Sequence, residues 1–275
     1  MTFSIPLPTR DAALDYETAT LARNTRNAEL LHNCRKEVLQ AYEKYVGPGY
    51  VEAVALPLGG DTENALKGNY RLTYEGEALE DLRDDILASA PLGICPMCGR
   101  GDAQQVDHYL PKDKFPELSI YAPNLVPTCD SCNTNKRALV GNATTGRFLH
   151  AYLDALPTSL PLYKADIEVT DSVVAVFSVN PRLPAPMHRD ALYHFAKLKL
   201  GEQFGTGAAL ELWVRSDLFS SSYDLGGPSA VAAEAHKQER LWMGKINIHH
   251  WTVALYAALK RDAEFCNGGF RNIRN

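Results

Sequence analysis

No apolar run in this sequence is long enough to cross a membrane. The longest mainly apolar stretch, Trp251 to Leu259, falls far short of the ~20 residues a spanning helix needs. The N-terminus, Met1-Thr-Phe-Ser-Ile-Pro-Leu-Pro-Thr-Arg10, lacks a basic segment followed by an apolar one, so a secretory signal is not expected and a cytoplasmic protein is. Positive charge is not in surplus either. Lys+Arg number 28 against 33 Asp+Glu, a formal net charge of -5. That excludes a protein which coats nucleic acid through an overall basic surface, and it confines any such contact to a local patch. Internal repeats and low-complexity tracts are absent. Of the 6 cysteines, Cys34 and Cys266 fall in expected helices with no framework spacing, and reduced thiols are the simpler reading.

What is present suits an ordinary globular chain: at 275 residues and 45% apolar content it can bury a core in one large domain or in two or three modest ones. From about Asp11 to Val46 the pattern is helical, with Leu31, Cys34, Val38, Tyr42 and Tyr45 on one face and Gly47-Pro48-Gly49 as its stop. Arg23, Arg26, Arg35 and Lys36 read as its solvated surface. Residues 50–74 read as irregular, with turn signals at Gly59-Gly60 and Gly68-Asn69. An acidic helix is expected from about Glu77 to Ala90; its carboxylates would repel phosphate and face away from any anionic ligand. Beyond residue 141, Phe148, Tyr152 and Leu156 suggest a short helix. Ala165, Ile167 and Val169 then alternate with polar residues ahead of a turn at Thr170-Asp171-Ser172 and a returning strand, Val173 to Val179. Helices are expected near Arg189–Leu200, Ala208–Asp217, Ala230–Met243 and Asn247–Cys266, with Gly201 and Gly268 as C-terminal caps and Ser229 as an N-cap.

The stretch that organises the chain runs from Cys95-Pro-Met-Cys98 through Val106-Asp107-His108-Tyr-Leu-Pro-Lys112 to Asn124-Leu-Val-Pro-Thr-Cys129-Asp-Ser-Cys132-Asn133-Thr-Asn-Lys136. Two CxxC pairs suit one tetrahedral Zn²⁺, because each sits on a tight turn that aims two thiolates at one point. A closed four-cysteine cage is structural and leaves no position for a substrate water. Chemistry therefore falls to the residues enclosed by the pairs or just beyond, with Asp107 and His108 the first candidates. The segment around Gln104–Tyr109 reads as a strand, Asn124–Thr128 as its antiparallel partner and Ser131–Leu139 as a helix, in the order ββα. Pro111, Pro116 and Pro123 pin the loop between the strands.

These residues resemble the HNH endonucleases, whose ββα-metal core is often tied by a four-cysteine knuckle. The resemblance covers roughly residues 93 to 140 and rests on the cysteine pairs, on Asp107-His108, on Asn124 and on Asn133 directly after the last cysteine. The wording DHYLPK, NLVP and CxxCNxxK most resembles the HNH subunits of Septu-type antiphage systems, which pair a nuclease with an ATPase. With the helical patterns on either side, the expectation is an α+β protein in three parts: an N-terminal helical region, 1–90; the nuclease core that the resemblance implies, 91–140; and a mainly helical region, 141–275, with a hairpin near 164–180. The resemblance also implies a soluble nuclease with a partner ATPase and no membrane association.

The chemistry implied is metal-dependent DNA cleavage. His108, with an ordinary pKa of ~6.5, would take the proton of the attacking water. Asp107 and Asn133 would hold a catalytic Mg²⁺ or Mn²⁺, and Asn124 would fix the loop carrying His108. Asn133 stands where many relatives have a histidine. Neighbours on a strand point to opposite faces, so Asp107 and His108 can share one site only if the strand ends or bends there. Lys136 and, on the loop, Lys112 are candidate nucleic-acid contacts, whereas His150 reads as a packing residue outside the site. A catalytically silent zinc module that docks on an ATPase or on nucleic acid is the alternative, and an RNA substrate is not excluded. No sequence-reading module is evident, so weak sequence specificity is expected.

Overall fold

The computed structural model describes residues 3–45, 50 and 53–273. The expected stop at Gly47-Pro48-Gly49, and Val46 before it, lie outside those residues. The contacts divide the chain into two units, Phe3–Ala155 and Leu156–Asn275. The architecture is α+β, with helices around three separate two-stranded antiparallel sheets among the described residues.

In the first unit, α1 (Ala12–Leu21) starts where the Asp11 carboxylate accepts the backbone N–H groups of Ala13 and Leu14 at 3.0 and 3.1 Å, satisfying donors that the first turn leaves open. The long helix expected from Asp11 is broken at residues 22–24, and α2 runs Thr25–Tyr45 with Leu31, Cys34, Val38, Tyr42 and Tyr45 buried along it. The described residues of 50–74 hold more regular structure than expected. α3 (Gly60–Asn69) occupies them and passes into a 3₁₀ turn, Tyr70–Thr73. The glycines read as turns lie instead at the two ends of this helix, where they cost least. α4 (Glu80–Ala88) buries Leu82 and Ile86.

The order ββα follows: β1 (Gln105–His108), β2 (Leu125–Thr128) and α5 (Asp130–Lys136). The strands pair antiparallel, Asp107 opposite Val126 and His108 opposite Leu125. So small a sheet has little core of its own. Val106 and Leu125 share one apolar cluster with Ala19 of α1, Tyr70, Leu72 and Leu79 of the connecting segment, and Leu82 and Ile86 of α4. Each such side chain contributes about 1.5–3 kcal/mol when fully buried, so the preceding helices supply the support that the motif lacks. Arg10 adds a polar tie, reaching Asp15 of α1 at 2.6 Å and Asp81 and Asp85 of α4 at 3.1 and 2.5 Å.

After α5 comes a minimal hairpin, β3 (Gly141–Asn142) with β4 (Gly146–Arg147). The short helix expected over Phe148–Leu156 is not formed. The Asp154 carboxylate takes the backbone N–H of His150 at 2.6 Å and is itself held by Arg147 at 2.7 Å. A side chain thus takes the donor, and the segment makes only a turn.

In the second unit β5 (Tyr163–Val169) and β6 (Val173–Val179) form the expected hairpin. Its inner face packs Phe177 near Phe204 and Trp251, with ring centroids at 5.5 and 6.4 Å. α6 (Ala185–Lys197), α7 (Leu200–Val214), α8 (Ser216–Lys245), α9 (Trp251–Leu259) and α10 (Ala263–Cys266) complete it. Two caps are corrected. Gly201 lies in the first turn of α7, and the left-handed residue before that helix is Lys199. Ser229 lies within α8, whose break falls at Gly226 and Gly227 just ahead of Pro228; a proline in a first turn loses no hydrogen bond. Gly268, at φ 111°, follows α10 as expected of a cap. No described helix is long and apolar enough to cross a membrane.

Candidate active site

The cysteine pairs converge. The Sγ atoms of Cys95, Cys98, Cys129 and Cys132 all lie within 4.8 Å of one another, and all four residues are buried. None forms a disulfide. Cys95 and Cys98 lie on a turn closed by Gly99 N–H to the Cys95 carbonyl at 2.8 Å, with Gly99 at φ 67°. Cys129 is the N-cap residue of α5 and Cys132 lies in its first turn. Gly101 is required by space: a Cβ there would fall 2.7 Å from the Cys129 Cβ and 2.9 Å from its Sγ. Its N–H also reaches Cys98 Sγ at 3.5 Å. The neighbouring cysteines, Cys129 foremost, and to a lesser degree this N–H hold the Cys98 thiol well below its ordinary pKa. Four soft, convergent, buried donors fit one metal ion bound as thiolates.

Beside this cluster lies a cleft of about 590 Å³ lined by Asp107, His108 and Asn133 together. β1 ends at His108, and so neighbours that would diverge within a continuing strand both border one space. The His108 Nε2 sits 2.8 Å from the Ser119 carbonyl. A carbonyl only accepts, so Nε2 carries the proton and Nδ1 is left as the basic nitrogen. Burial pushes the His108 pKa down to about 3, keeping the ring neutral.

Asn124 is fully buried and spans the loop that follows β1. Its Oδ1 accepts from Leu110 N–H at 2.8 Å and from Tyr45 Oη at 3.0 Å. Its Nδ2 donates to the carbonyls of Leu110 and Leu118 at 3.0 and 3.2 Å. One side chain therefore ties down both ends of the segment that presents the Ser119 carbonyl to His108. Behind it Tyr45 Oη also meets His150 Nε2 at 3.0 Å. His150 is a buried packing residue at 0% exposure.

Asn133 Nδ2 donates to Gln105 Oε1 at 2.5 Å, which leaves the amide oxygen as the group it can offer to a cation. Asp107 Oδ2 lies 2.8 Å from Lys136 Nζ. Burial pushes the Asp107 carboxyl above the ordinary carboxylate range, against the pull of that ammonium. A carboxylate and an amide oxygen lining one cleft fit a hard divalent cation.

Lys136 is not at the surface. It is 1% exposed, and its Nζ also donates to the His108 carbonyl at 2.6 Å. Lys112 does line the cleft, its Nζ 4.9 Å from the Tyr70 ring centre. The sequence reading missed Tyr70, Tyr74, Arg83 and Arg137, which line the same cleft. The acidic composition of α4 concealed Arg83. Asp81 and Asp85 pair with Arg10 while Arg83 faces the cleft, so the expectation that this helix turns wholly away is corrected. Arg137 follows α5 at φ 47°, a backbone state that its residue type does not announce.

Comparison with known proteins agrees with this geometry. Residues 95–138 match the family model described as HNH endonuclease, which spans both cysteine pairs and the cleft residues between them. The chain is also 32% identical over 170 residues to "Protein ea31" of Escherichia phage lambda, across 59% of this chain and 57% of that protein. The chain thus spans little more than half the length of that curated relative. No solved structure matches the chain.

Proposed function

We propose that the protein is a metal-dependent endonuclease that hydrolyses DNA phosphodiester bonds. The observation that carries this reading is the convergence of Asp107, His108 and Asn133 on one cleft, with His108 tied through Nε2 so that Nδ1 is free to accept a proton. The four cysteines hold a structural Zn²⁺ that keeps β1 and α5 in register. Asp107 and the Asn133 amide oxygen would hold a Mg²⁺ or Mn²⁺, which when bound would supply Lewis-acid charge stabilisation for phosphodiester cleavage.

The remaining work belongs to the chain. His108 removes a proton from the attacking water at Nδ1, and the Ser119 carbonyl keeps the ring oriented and favours the cation that forms. Asn124 fixes that carbonyl by holding the loop at Leu110 and Leu118. Lys136 balances the charge of Asp107 within the protein, a positioning role in place of a phosphate contact. Lys112, at the cleft, is the better candidate of the two for the substrate backbone.

The wider setting we propose is a nuclease effector of an antiphage system, acting with a partner ATPase. Its support is the motif wording around Asp107 and Asn133; the relative found is itself a phage protein. The chemistry is tested by nicking of supercoiled plasmid in Mg²⁺ or Mn²⁺. The parent should cut, and His108→Ala should retain zinc and fold while losing cleavage. A parent without activity on DNA or RNA, alone or with the products of neighbouring genes, would favour a silent zinc module.

A further inference from the structure

The cleft has a second wall, contributed by residues that precede the matched motif. Tyr70 packs edge-on against His108, ring centres 4.4 Å apart, and Tyr74 packs against Tyr70 at 5.8 Å. The Arg83 guanidinium lies 5.6 Å from the centre of the Tyr74 ring and reaches Tyr70 Oη at 3.4 Å. An exposed tyrosine beside an arginine is ordinary on a protein surface. This pair differs in three ways. Both residues line the cleft that holds His108. Every other tyrosine of the first unit is buried, at 9% exposure or less, whereas Tyr74 is 48% exposed. Arg83 has no carboxylate partner among the described residues, although it sits in a helix rich in carboxylates, two of which, Asp81 and Asp85, are engaged by Arg10.

An aromatic ring left half open two ring contacts from a proton-accepting histidine, and backed by an unneutralised guanidinium, suits one ligand chemistry. The ring takes the face of a base, and the cation takes the phosphate attached to it. In a continuous duplex the base faces are closed by stacking on each other, so a ring can claim one only where a base is unpaired or turned out.

Resting on the nuclease reading above, we infer that Tyr74 and Arg83 form a subsite for an unpaired nucleotide flanking the scissile phosphate, so that the preferred substrate is single-stranded or locally opened nucleic acid. Nothing in the ββα motif supplies this preference; it comes from the segment between α3 and α4 and from α4 itself.

The test uses the full-length, zinc-loaded chain with His108→Ala as background for binding, and fluorescein-labelled oligonucleotides as probes: single-stranded, fully duplex, and single-stranded with abasic sites. Base stacking on an aromatic side chain contributes about 1–3 kcal/mol. Tyr74→Ala should therefore weaken single-strand binding roughly 5- to 150-fold by that same range, while Tyr74→Phe restores it and duplex binding stays unchanged. The abasic probe should bind the parent weakly and lose nothing further in Tyr74→Ala. Arg83→Ala should lower the slope of log K against log salt by about 0.7, the share of one single-strand phosphate. Tyr74 is half exposed, so its variants should keep the parental urea midpoint.

Equal losses on single-stranded and duplex probes, or no loss on either, would overturn the subsite. The two readings fail separately. A parent that cuts with unchanged kcat and KM in Tyr74→Ala keeps the nuclease and removes the subsite. A parent that never cuts, yet binds single strands through Tyr74, does the reverse.

Discussion

Replacing Lys136 with Met tests whether the residue is an internal counter-charge or a solvated contact. The side chain is 1% exposed and its Nζ holds Asp107 Oδ2 at 2.8 Å and the His108 carbonyl at 2.6 Å. Methionine keeps much of the length and volume and removes the charge. Asp107, itself 8% exposed, is then buried without a partner. Breaking a buried pair from one side costs about 3–5 kcal/mol, and with a urea slope of about 2 kcal/mol per molar the midpoint should fall by roughly 2 M. Asp107→Asn/Lys136→Met should recover part of that loss, with a coupling of about 0.5–3 kcal/mol.

The penalty should also depend on pH, in a sense fixed by linkage. Without Lys136 the folded Asp107 pKa rises further above its unfolded value. The variant's deficit is therefore full at neutral pH and shrinks as pH falls through the folded pKa, where the carboxyl becomes neutral. Trp213, Trp242 and Trp251 all lie in the second unit, so tryptophan fluorescence follows that unit and serves as an internal control. Loss of zinc and urea-dependent hydrogen exchange of amides in residues 95–138 follow the first. A Lys136→Met midpoint within about 1 kcal/mol of the parent, the usual range for an exposed ion pair, with no dependence on pH, would return Lys136 to the solvent.

Cys129→Ser should lower zinc content and destabilise the first unit, since so small a motif relies on its ligands, and Gly101→Ala should do the same in milder form because of the 2.7 Å approach to Cys129. Zinc by mass spectrometry and urea midpoints read both; a zinc-free parent would refute the cage. Asn133→His should shift metal activation from Mg²⁺ and Mn²⁺ toward Ni²⁺, Co²⁺ or Zn²⁺ by adding an imidazole nitrogen, and an unchanged metal order at parental rates removes Asn133 from the ligand set. Cleavage should persist below the ordinary histidine range, since burial keeps His108 neutral until pH falls toward about 3. A limb centred at 6.5 or higher would contradict the buried geometry.

The ββα motif was legible because its signals are local. Cysteine spacing, alternation in short strands and prolines that pin a loop each act within a few residues. α3 was not legible, because Gly59-Gly60 and Gly68-Asn69 carry the composition of turns while Ala65 and Leu66 between them are buried by contacts distant in sequence. The region after β4 failed in the opposite direction. Phe148 and Tyr152 keep helical spacing, but Asp154 captures the His150 N–H, and no periodicity reports a side chain that competes for a backbone donor.

The same distinction separates the parts of the site. The convergence of Asp107, His108 and Asn133 on one cleft, with Asn124 behind it, was foreseeable from the sequence because a short motif places its residues at fixed intervals. What Lys136 does was not, since its position three residues beyond Asn133 on α5 permits a phosphate contact or a buried ion pair equally well. Only the packing of α5 against β1 decides between them, by bringing Nζ to Asp107 and away from water. Arg83 shows the converse. A helix that reads as uniformly acidic presents one cation to the cleft, while two of its four carboxylates, Asp81 and Asp85, are drawn to Arg10, some seventy residues earlier. The charge that a nucleic-acid strand would meet is set by which carboxylates are already paired, and so a chain of net charge -5 can still offer Arg83, Lys112 and Arg137 around one opening.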